Sequence, residues 1–416
     1  MGVDVFFTLS GILITRMWLR ETAARHGAFN FARFAARRYL RLAPMLVLGI
    51  LAQLAAAAAG GVLPAKLNAC ANDWWRLLLM INNYTRGSPD DACLLQAWSV
   101  AVEMQLYLVA PLVLWGVWQP AAQRPRRWWW AGLAAVWAIP PVLRGALAGT
   151  SPLTWQFLFN RWGISNLPLA YTSTPARASP FVAGMAAALA VELAKRKRRA
   201  QAAPAALKDS DAVVIEVPAV SGALGGDTDR QVVDESSVPA TLPGQQPAGA
   251  AAQAAAAEPR RRLRRTAALL LCADVFAFLV CLGLAWLGVG VNRHTSTLSL
   301  DLDLFLTVLG RPLFGAALAW VLGATLLGRC RPIEFVVGSR LWLPAASLSY
   351  GAYLLQDLPL DRLPSWTLVG VTTSLFAGWA VYLLSYALFT LASLGLALPC
   401  FLLVEMPAQR LVKRGY

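Results

Sequence analysis

One carboxylate in this sequence stands where lipid should exclude it. Glu103 lies in W-S-V-A-V-E-M-Q-L-Y-L-V-A-P, Trp98 to Pro111, at the start of an apolar run that continues to about Trp118. A run of this length crosses a bilayer as a helix. An ionised carboxylate inside it costs on the order of 3 kcal/mol on insertion scales. Residues that carry such a cost face a bundle interior or a wet cavity, which makes Glu103 a candidate for proton transfer or recognition. Tyr107 shares its face one helical turn on, and Gln105 stands between them. A structural helix–helix hydrogen bond is the competing reading.

The cations gather elsewhere. Arg37, Arg38 and Arg41, in R-R-Y-L-R-L-A-P, are three and four residues apart and form one cationic face if helical. Planar guanidinium groups suit phosphate, although the same residues would serve as plain topology signals. Arg177 is the only basic residue of Y-T-S-T-P-A-R-A-S-P-F-V-A-G-M. It would grip an anionic acceptor, pair with Glu103, or snorkel as an interfacial anchor. The two histidines, His26 and His294, fall in expected loops, far from a buried proton. Six cysteines without C-x-x-C pairs give no reason to expect a metal site.

The elements that position these groups must cross a membrane. With 57% hydrophobic and 14% charged residues and a mean hydropathy of +0.52, the chain is far too apolar for a soluble domain of its size. The formal net charge of +15 does not point to nucleic acid, because the basic residues form short runs flanking apolar segments. The expected fold is all-α, a polytopic membrane bundle of about nine transmembrane helices with a disordered cytosolic insert. Spans are expected at about 2–19, 42–63, 98–118, 128–149 and 179–194 in an N-terminal part, 1–194. A C-terminal part, 266–416, should supply spans at about 266–290, 304–327, 341–360 and 380–404. Between them 195–265 opens with K-R-K-R-R, closes with R-R-R-L-R-R and is rich in Ala, Pro, Gly and Asp. That composition reads as a disordered cytosolic linker, its basic ends holding anionic headgroups or simply setting topology.

Orientation follows from charge. The arginines between Arg16 and Arg41 should be cytosolic, which puts the Pro64–Ala97 loop outside and the C-terminus inside. No basic region precedes the first run and no small-residue cleavage site follows it, so it is not a signal peptide. Asn83-Tyr84-Thr85 in the external loop is a formal glycosylation sequon, close to a Trp-rich segment that should hug the membrane.

Several stretches carry a family pattern. W-S-V-A-V-E-M-Q-L-Y is similar to W-S-L-x-x-E-x-Q-F-Y, and G-V-D-V-F-F-T-L-S-G-I-L-I-T to G-V-D-V-F-F-V-L-S-G-F-L-I-T. R-R-Y-L-R-L-A-P is similar to R-R-x-x-R-I-x-P, and V-E-M-P-A-Q-R-L near the end to V-E-x-P-x-x-x-L. Together they resemble the acyltransferase 3 family of integral-membrane acyltransferases. Within it, C-x-x-D-W-W-x-x-L-L-x-I-N-N-Y followed by a second Cys resembles the animal-type branch of nose-resistant-to-fluoxetine-like proteins, as does the Arg177 stretch. In S-L-S-Y-G-A-Y-L-L-Q, Gln356 stands where the family has a histidine, which argues against proton transfer there.

The resemblance implies transfer of an acyl group, acetyl in the first instance, from acyl-CoA to a hydroxyl of a carbohydrate or lipid acceptor. Its partners would be acyl-CoA, that acceptor and membrane lipids, without metal or nucleic acid, in a multi-pass protein of an endomembrane or the plasma membrane. Glu103, Gln105 and Tyr107 would be catalytic, Arg37, Arg38 and Arg41 would hold the donor's phosphates, and Asp4, Trp98, Arg177, Tyr350 and Glu405 would complete the site. The branch pattern also implies a Cys70–Cys93 disulfide in the external loop, rather than two free thiols. In the family the base is a histidine of a first span, and the match here opens on the second. The chain is therefore expected to be a truncated and inactive form. Two other classes remain open: a non-catalytic protein retaining the fold, which Gln356 favours, and a transporter, which should show an inverted repeat.

Overall fold

Inside lipid every peptide group must find its partner within the protein, so apolar runs of span length fold as helices. The computed structural model describes residues 2–25, 27–58, 64–84, 92–118, 126–150, 172–210, 266–285, 305–356 and 375–414, and no strand occurs among them. The helices are α1 (Gly2–Ala24), α2 (Phe31–Ala58), α3 (Pro64–Leu78), α4 (Ala97–Trp118), α5 (Arg126–Thr150) and α6 (Thr174–Ser210). They continue with α7 (Thr266–Ala285), α8 (Arg311–Leu326), α9 (Arg331–Val337), α10 (Leu343–Leu355), α11 (Leu375–Cys400) and α12 (Met406–Arg414). Pro312, Pro332 and Pro344 each stand in the first two positions of α8, α9 and α10. At α9, which starts from the non-helical Cys330, the missing N–H would have had no partner in any case.

Seven described helices are long and apolar enough to cross a membrane: α1, α2, α4, α6, α7, α8 and the end of α11 running into α12. They coincide with seven of the expected spans. The other two correspond to α5, which carries a buried Arg144, and to α10, which has 13 residues before 357–374, outside the described residues. Two boundaries move. The R-R-Y-L-R-L-A-P stretch is not a loop but the first half of α2, continuous with the span and with Pro44 inside it. Likewise α6 runs through Lys195 to Ser210, so the opening of the expected linker is helical; Ala, Lys, Arg and Gln propagate a helix once it is nucleated. Residues 211–265 lie outside the described residues.

The chain divides into two units, Met1–Glu192 with Phe276–Tyr416, and Leu193–Val275. The second contains the basic end of α6 and the first turns of α7. In the first, the core gathers around α1, α2, α4 and the start of α6, with Phe7, Ile14, Trp18, Met45, Leu46, Val102, Leu114 and Phe181 all buried. A second cluster, Leu284, Leu306 and Phe314, closes against Val5 and Val280.

The closest helix crossing uses glycine on both sides. A Cβ on Gly11 of α1 would collide with the carbonyl of Phe181 in α6, and one on Gly184 would collide with the carbonyl of Thr8. Only hydrogen fits at each point, and in lipid such small-residue crossings supply the packing that water cannot drive. On α8, a Cβ at Gly315 would lie 2.6 Å from Pro180 Cα, so a second helix also leans on α6. The hydroxyls of Thr8 and Thr15 donate to the carbonyls of Asp4 and Gly11 one turn back, which leaves no buried donor open on this face of α1.

Beyond α2, α3 presents Cys70 and Leu77 inward and Trp74 and Trp75 outward. The Sγ atoms of Cys70 and Cys93 lie at disulfide distance, their Cα atoms 4.5 Å apart across a sequence separation of 23. Closing a loop of that length is worth about 3 kcal/mol in the chain-entropy model. The same loop decides the sequon. Asn83 is 1% exposed, and its amide donates to the Thr172 carbonyl at 3.2 Å and to Thr174 Oγ1 at 3.3 Å. A glycan cannot be carried on a buried, engaged amide. Glycosidase treatment of protein made in a glycosylating host should therefore leave its electrophoretic mobility unchanged, and a mobility shift lost on Asn83→Gln would overturn this.

Candidate active site

Because α4 repeats every 3.6 residues, the carboxylate of Glu103 and the phenol of Tyr107 meet on one side of it. Glu103 is 2% exposed. Its Oε1 accepts hydrogen bonds from Tyr107 Oη, a short contact, and from Ser10 Oγ of α1 at 2.7 Å. Tyr107 Oη also lies 3.2 Å from Ser10 Oγ, so the three side chains form one buried triangle. Among the described residues no hydrogen-bond donor reaches Glu103 Oε2. The carboxylate is thus held by one oxygen with the other left open. A buried acceptor in that state needs a reason, and a reacting proton is one.

On the neighbouring helix, Arg38 stacks its guanidinium over the Tyr107 ring, 5.3 Å from Cζ to centroid, and over Phe34 at 5.7 Å. Its Nη2 reaches Met17 Sδ at 2.9 Å. The phenol is therefore shared between the cationic face of α2 and the buried carboxylate of α4. Arg41, three residues on, is exposed. Arg37 is half-buried on the same helix. Tyr350 of α10 donates its hydroxyl to the Leu42 carbonyl at 2.9 Å, tying α10 to α2 beside Arg41.

Gln105 is two residues from Glu103 and hence on the far side of α4. Its Nε2 donates to the Met80 carbonyl at 2.7 Å and to Asn83 Oδ1 at 2.9 Å, and its Oε1 accepts from Thr174. It braces the turn after α3 against the start of α6 and does not touch Glu103. Arg177 does not pair with Glu103 either. It meets Asp4 Oδ1 at 3.2 Å, while Arg311 meets Asp4 Oδ2 at 3.2 Å. Trp98 lies under the Arg177 guanidinium, 4.8 Å from Cζ to the ring centroid. Arg144 of α5 donates to the Ala176 carbonyl beside this cluster. Asp4, Arg177 and Arg311 are each 3% exposed or less, so α1, α6 and α8 are joined by an ion network that neither lipid nor bulk water screens.

Glu405 is 4% exposed and ends a π-turn, Phe401–Glu405. Its Oε1 accepts from Gln409 Nε2 at 3.0 Å. A second π-turn, Leu306–Gly310, runs directly into Arg311. Single π-turns inside α-helices cluster at functional sites. His26 and His294 lie outside the described residues, and among the described residues no group of three or more His, Cys, Asp or Glu could hold a metal ion.

Residues 1–207, which hold the Ser10–Glu103–Tyr107 triangle and the arginines of α2, match the family described as an acyltransferase domain, acyltransferase 3. Residues 1–207 of the chain belong to the acyltransferase 3 family. Over 122 residues it is 33% identical to "Regulator of hypoxia-inducible factor 1" of Caenorhabditis elegans, covering 27% of this chain and 23% of that protein. Over 120 residues it is 28% identical to an "Uncharacterized protein" of Haemophilus influenzae, covering 27% of this chain and 48% of that protein. The chain thus spans less than half the length of either curated relative. No solved structure matches it. The worm protein supports the animal-type branch of the acyltransferase 3 family.

Against the family pattern, the structure adds residues that sequence reading missed. Ser10 sits in the S-G of the first acyltransferase 3 motif, but a serine in an apolar helix usually satisfies itself on a backbone carbonyl, so nothing marked it as Glu103's donor. Arg311 stands inside the expected span at about 304–327, and the sequence reading did not single it out. Its signal was the absence of a second arginine beside it, unlike the basic runs that set topology.

Proposed function

We propose that this membrane protein transfers an acyl group from acyl-CoA to a hydroxyl of a lipid or carbohydrate acceptor. The observation that carries the reading is the buried Glu103 carboxylate, fixed through Oε1 by Ser10 and Tyr107 with Oε2 open, and coupled through Tyr107 to Arg38. In this reading Arg37, Arg38 and Arg41 hold the donor phosphates as guanidinium–phosphate pairs. Their side is cytosolic, and the Cys70–Cys93 loop is external. Glu103 Oε2 takes the proton from the acceptor hydroxyl, whose oxygen attacks the thioester carbonyl. The C–S bond breaks, and the proton returns to the thiolate to give free CoA. Among the described residues Glu103 is the group held ready for this proton.

Membranes carrying the 416-residue chain, with and without a relative's first span joined before Met1, should be incubated with acyl-labelled acetyl-CoA. Label recovered in lipid or carbohydrate from either form supports the reading. Transfer by the extended form alone would move the base to that span. Label left on CoA by both forms, with the disulfide intact, would overturn the function.

A further inference from the structure

We propose that Gln96, Ser99 and Tyr353 form the acceptor subsite, and that the acceptor they select is a polyhydroxyl group, a sugar or polyol headgroup; this rests on the acyl-transfer reading above. Gln96 immediately precedes α4, and Gln96, Ser99, Glu103 and Tyr107 recur every three or four residues. They therefore form one polar stripe, with Glu103 and Tyr107 at its reacting end. The other end meets α10. Ser99 Oγ lies 2.7 Å from Tyr353 Oη, and each hydroxyl is 3.1 Å from the Gln96 carbonyl and placed to donate to it. The Gln96 side chain donates through Nε2 to the Leu354 carbonyl at 2.5 Å. That bond fixes the amide's orientation and leaves Oε1 without a donor among the described residues. Gln96 and Ser99 are buried, and Tyr353 is half-buried.

Protons decide what fits there. The Ser99 and Tyr353 hydroxyls bring one proton each, yet three close contacts join them to one another and to the Gln96 carbonyl. One contact therefore lacks a proton, and a hydroxyl oxygen keeps a lone pair to accept through. Gln96 Oε1 is a second acceptor in need of a donor, and Glu103 Oε2, one turn beyond Ser99, is a third. A buried site short of donors is completed by a ligand that brings them, as hydroxyl groups do. A monohydroxyl acceptor would give its proton to Glu103 and leave the Gln96 end as it is. A second hydroxyl would meet the Ser99–Tyr353 pair, about 6 Å along the helix from Glu103, a reach that a sugar ring or a glycerol unit covers. The direction of entry agrees. Gln96 lies three residues after Cys93 of the disulfide, at the end of the stripe opposite to Arg38, which stacks on Tyr107. Donor and acceptor would approach Glu103 from opposite sides.

Binding of labelled octyl glucoside, below its micellar concentration, to the full chain in nanodiscs tests this. Methyl glucoside and 1-octanol are the competitors, one sharing only its sugar and the other only its alkyl chain. 1-Octanol should not displace the label. Displacement by methyl glucoside would show that free carbohydrate suffices, and its failure to displace would assign the hydroxyls to a lipid-borne headgroup. Tyr353→Phe removes one hydroxyl and keeps the ring, and it should weaken glucoside binding about tenfold, the size of one hydrogen bond to a buried partner. Acetyl-CoA binding should be unchanged in the same variant, which a general loss of structure would not spare. If Tyr353→Phe does not fold, Ser99→Ala carries the same expectation and the same refutation. Unchanged glucoside binding by the variant, an equal loss for acetyl-CoA, or displacement by 1-octanol as readily as by unlabelled octyl glucoside would overturn the proposal. Transfer of label from acetyl-CoA by a chain that binds no glucoside would sink this subsite alone. Glucoside binding with the label left on CoA would instead count against the acyl-transfer reading.

Discussion

Glu103→Gln should lower acyl transfer by about 10²–10⁴-fold, the range for loss of a general base, while the protein still inserts and forms its disulfide. The substitution is nearly isosteric. Glutamine's carbonyl oxygen can still accept from Ser10 and Tyr107 in place of Oε1, so the triangle persists. Its amide nitrogen then takes the place of Oε2, a proton acceptor replaced by a proton donor. Activity should fall through kcat, with the KM for acyl-CoA held by the arginines of α2. Measuring both constants settles it. A loss confined to KM, or turnover within about threefold of the parent, would remove Glu103 from the chemistry. An equal loss from Gln105→Ala would not implicate the far face of α4, because Gln105 braces the α3–α4 turn and should act through stability.

Asp4→Asn should be the most destabilising single change in the bundle, by about 3–5 kcal/mol. Removing the carboxylate that two buried guanidinium groups share takes the negative charge out of the network, in a medium that solvates the remaining charge poorly. Asp4 takes one guanidinium on each oxygen, Arg177 and Arg311, at 3.2 Å. An amide accepts through one atom only and repels a guanidinium with the other. The loss should appear as a lower unfolding midpoint in detergent titration. It should largely vanish when Arg177→Met and Arg311→Met accompany it, as apolar replacement of a whole buried network is often tolerated. A drop below about 1 kcal/mol for Asp4→Asn alone would mean that the network contributes little to the fold.

These two sites differ in how far the sequence exposes them. A carboxylate within a span announces itself by its cost, and the i, i+4 spacing delivers Tyr107 with it. Arg177 shows itself as the only basic residue of its stretch, yet its partner does not: Asp4 is 173 residues away in the chain, and only tertiary packing brings α1 against α6. The motif that displays Glu103 also groups it with Gln105, although a helix turns consecutive motif letters to different sides. Ser10 remained silent because hydroxyls in apolar helices have a default partner on their own backbone. Helix existence followed from apolar length at almost every span. Helix limits did not, because arginine, alanine and lysine carry a helix beyond the lipid without changing its hydrogen bonding, as the start of α2 and the end of α6 show.

The two π-turns have a consequence for how this chain tolerates change in length. One opens onto α8 and the other joins α11 to α12, and each lies at a buried ionic side chain, Arg311 and Glu405. Deleting one residue there would restore regular α geometry and improve local hydrogen bonding. It would also turn everything downstream by about 100° relative to everything upstream. Arg311 would leave Asp4, or Glu405 would leave the α2 side, and in the second case the faces of α11 and α12 would fall out of register with each other. Elsewhere in a lipid-facing helix such a deletion shifts one greasy surface onto another. At these points the reading frame of the helix is itself part of the site, and a substitution that leaves every functional residue in place can still remove it by making the helix too regular.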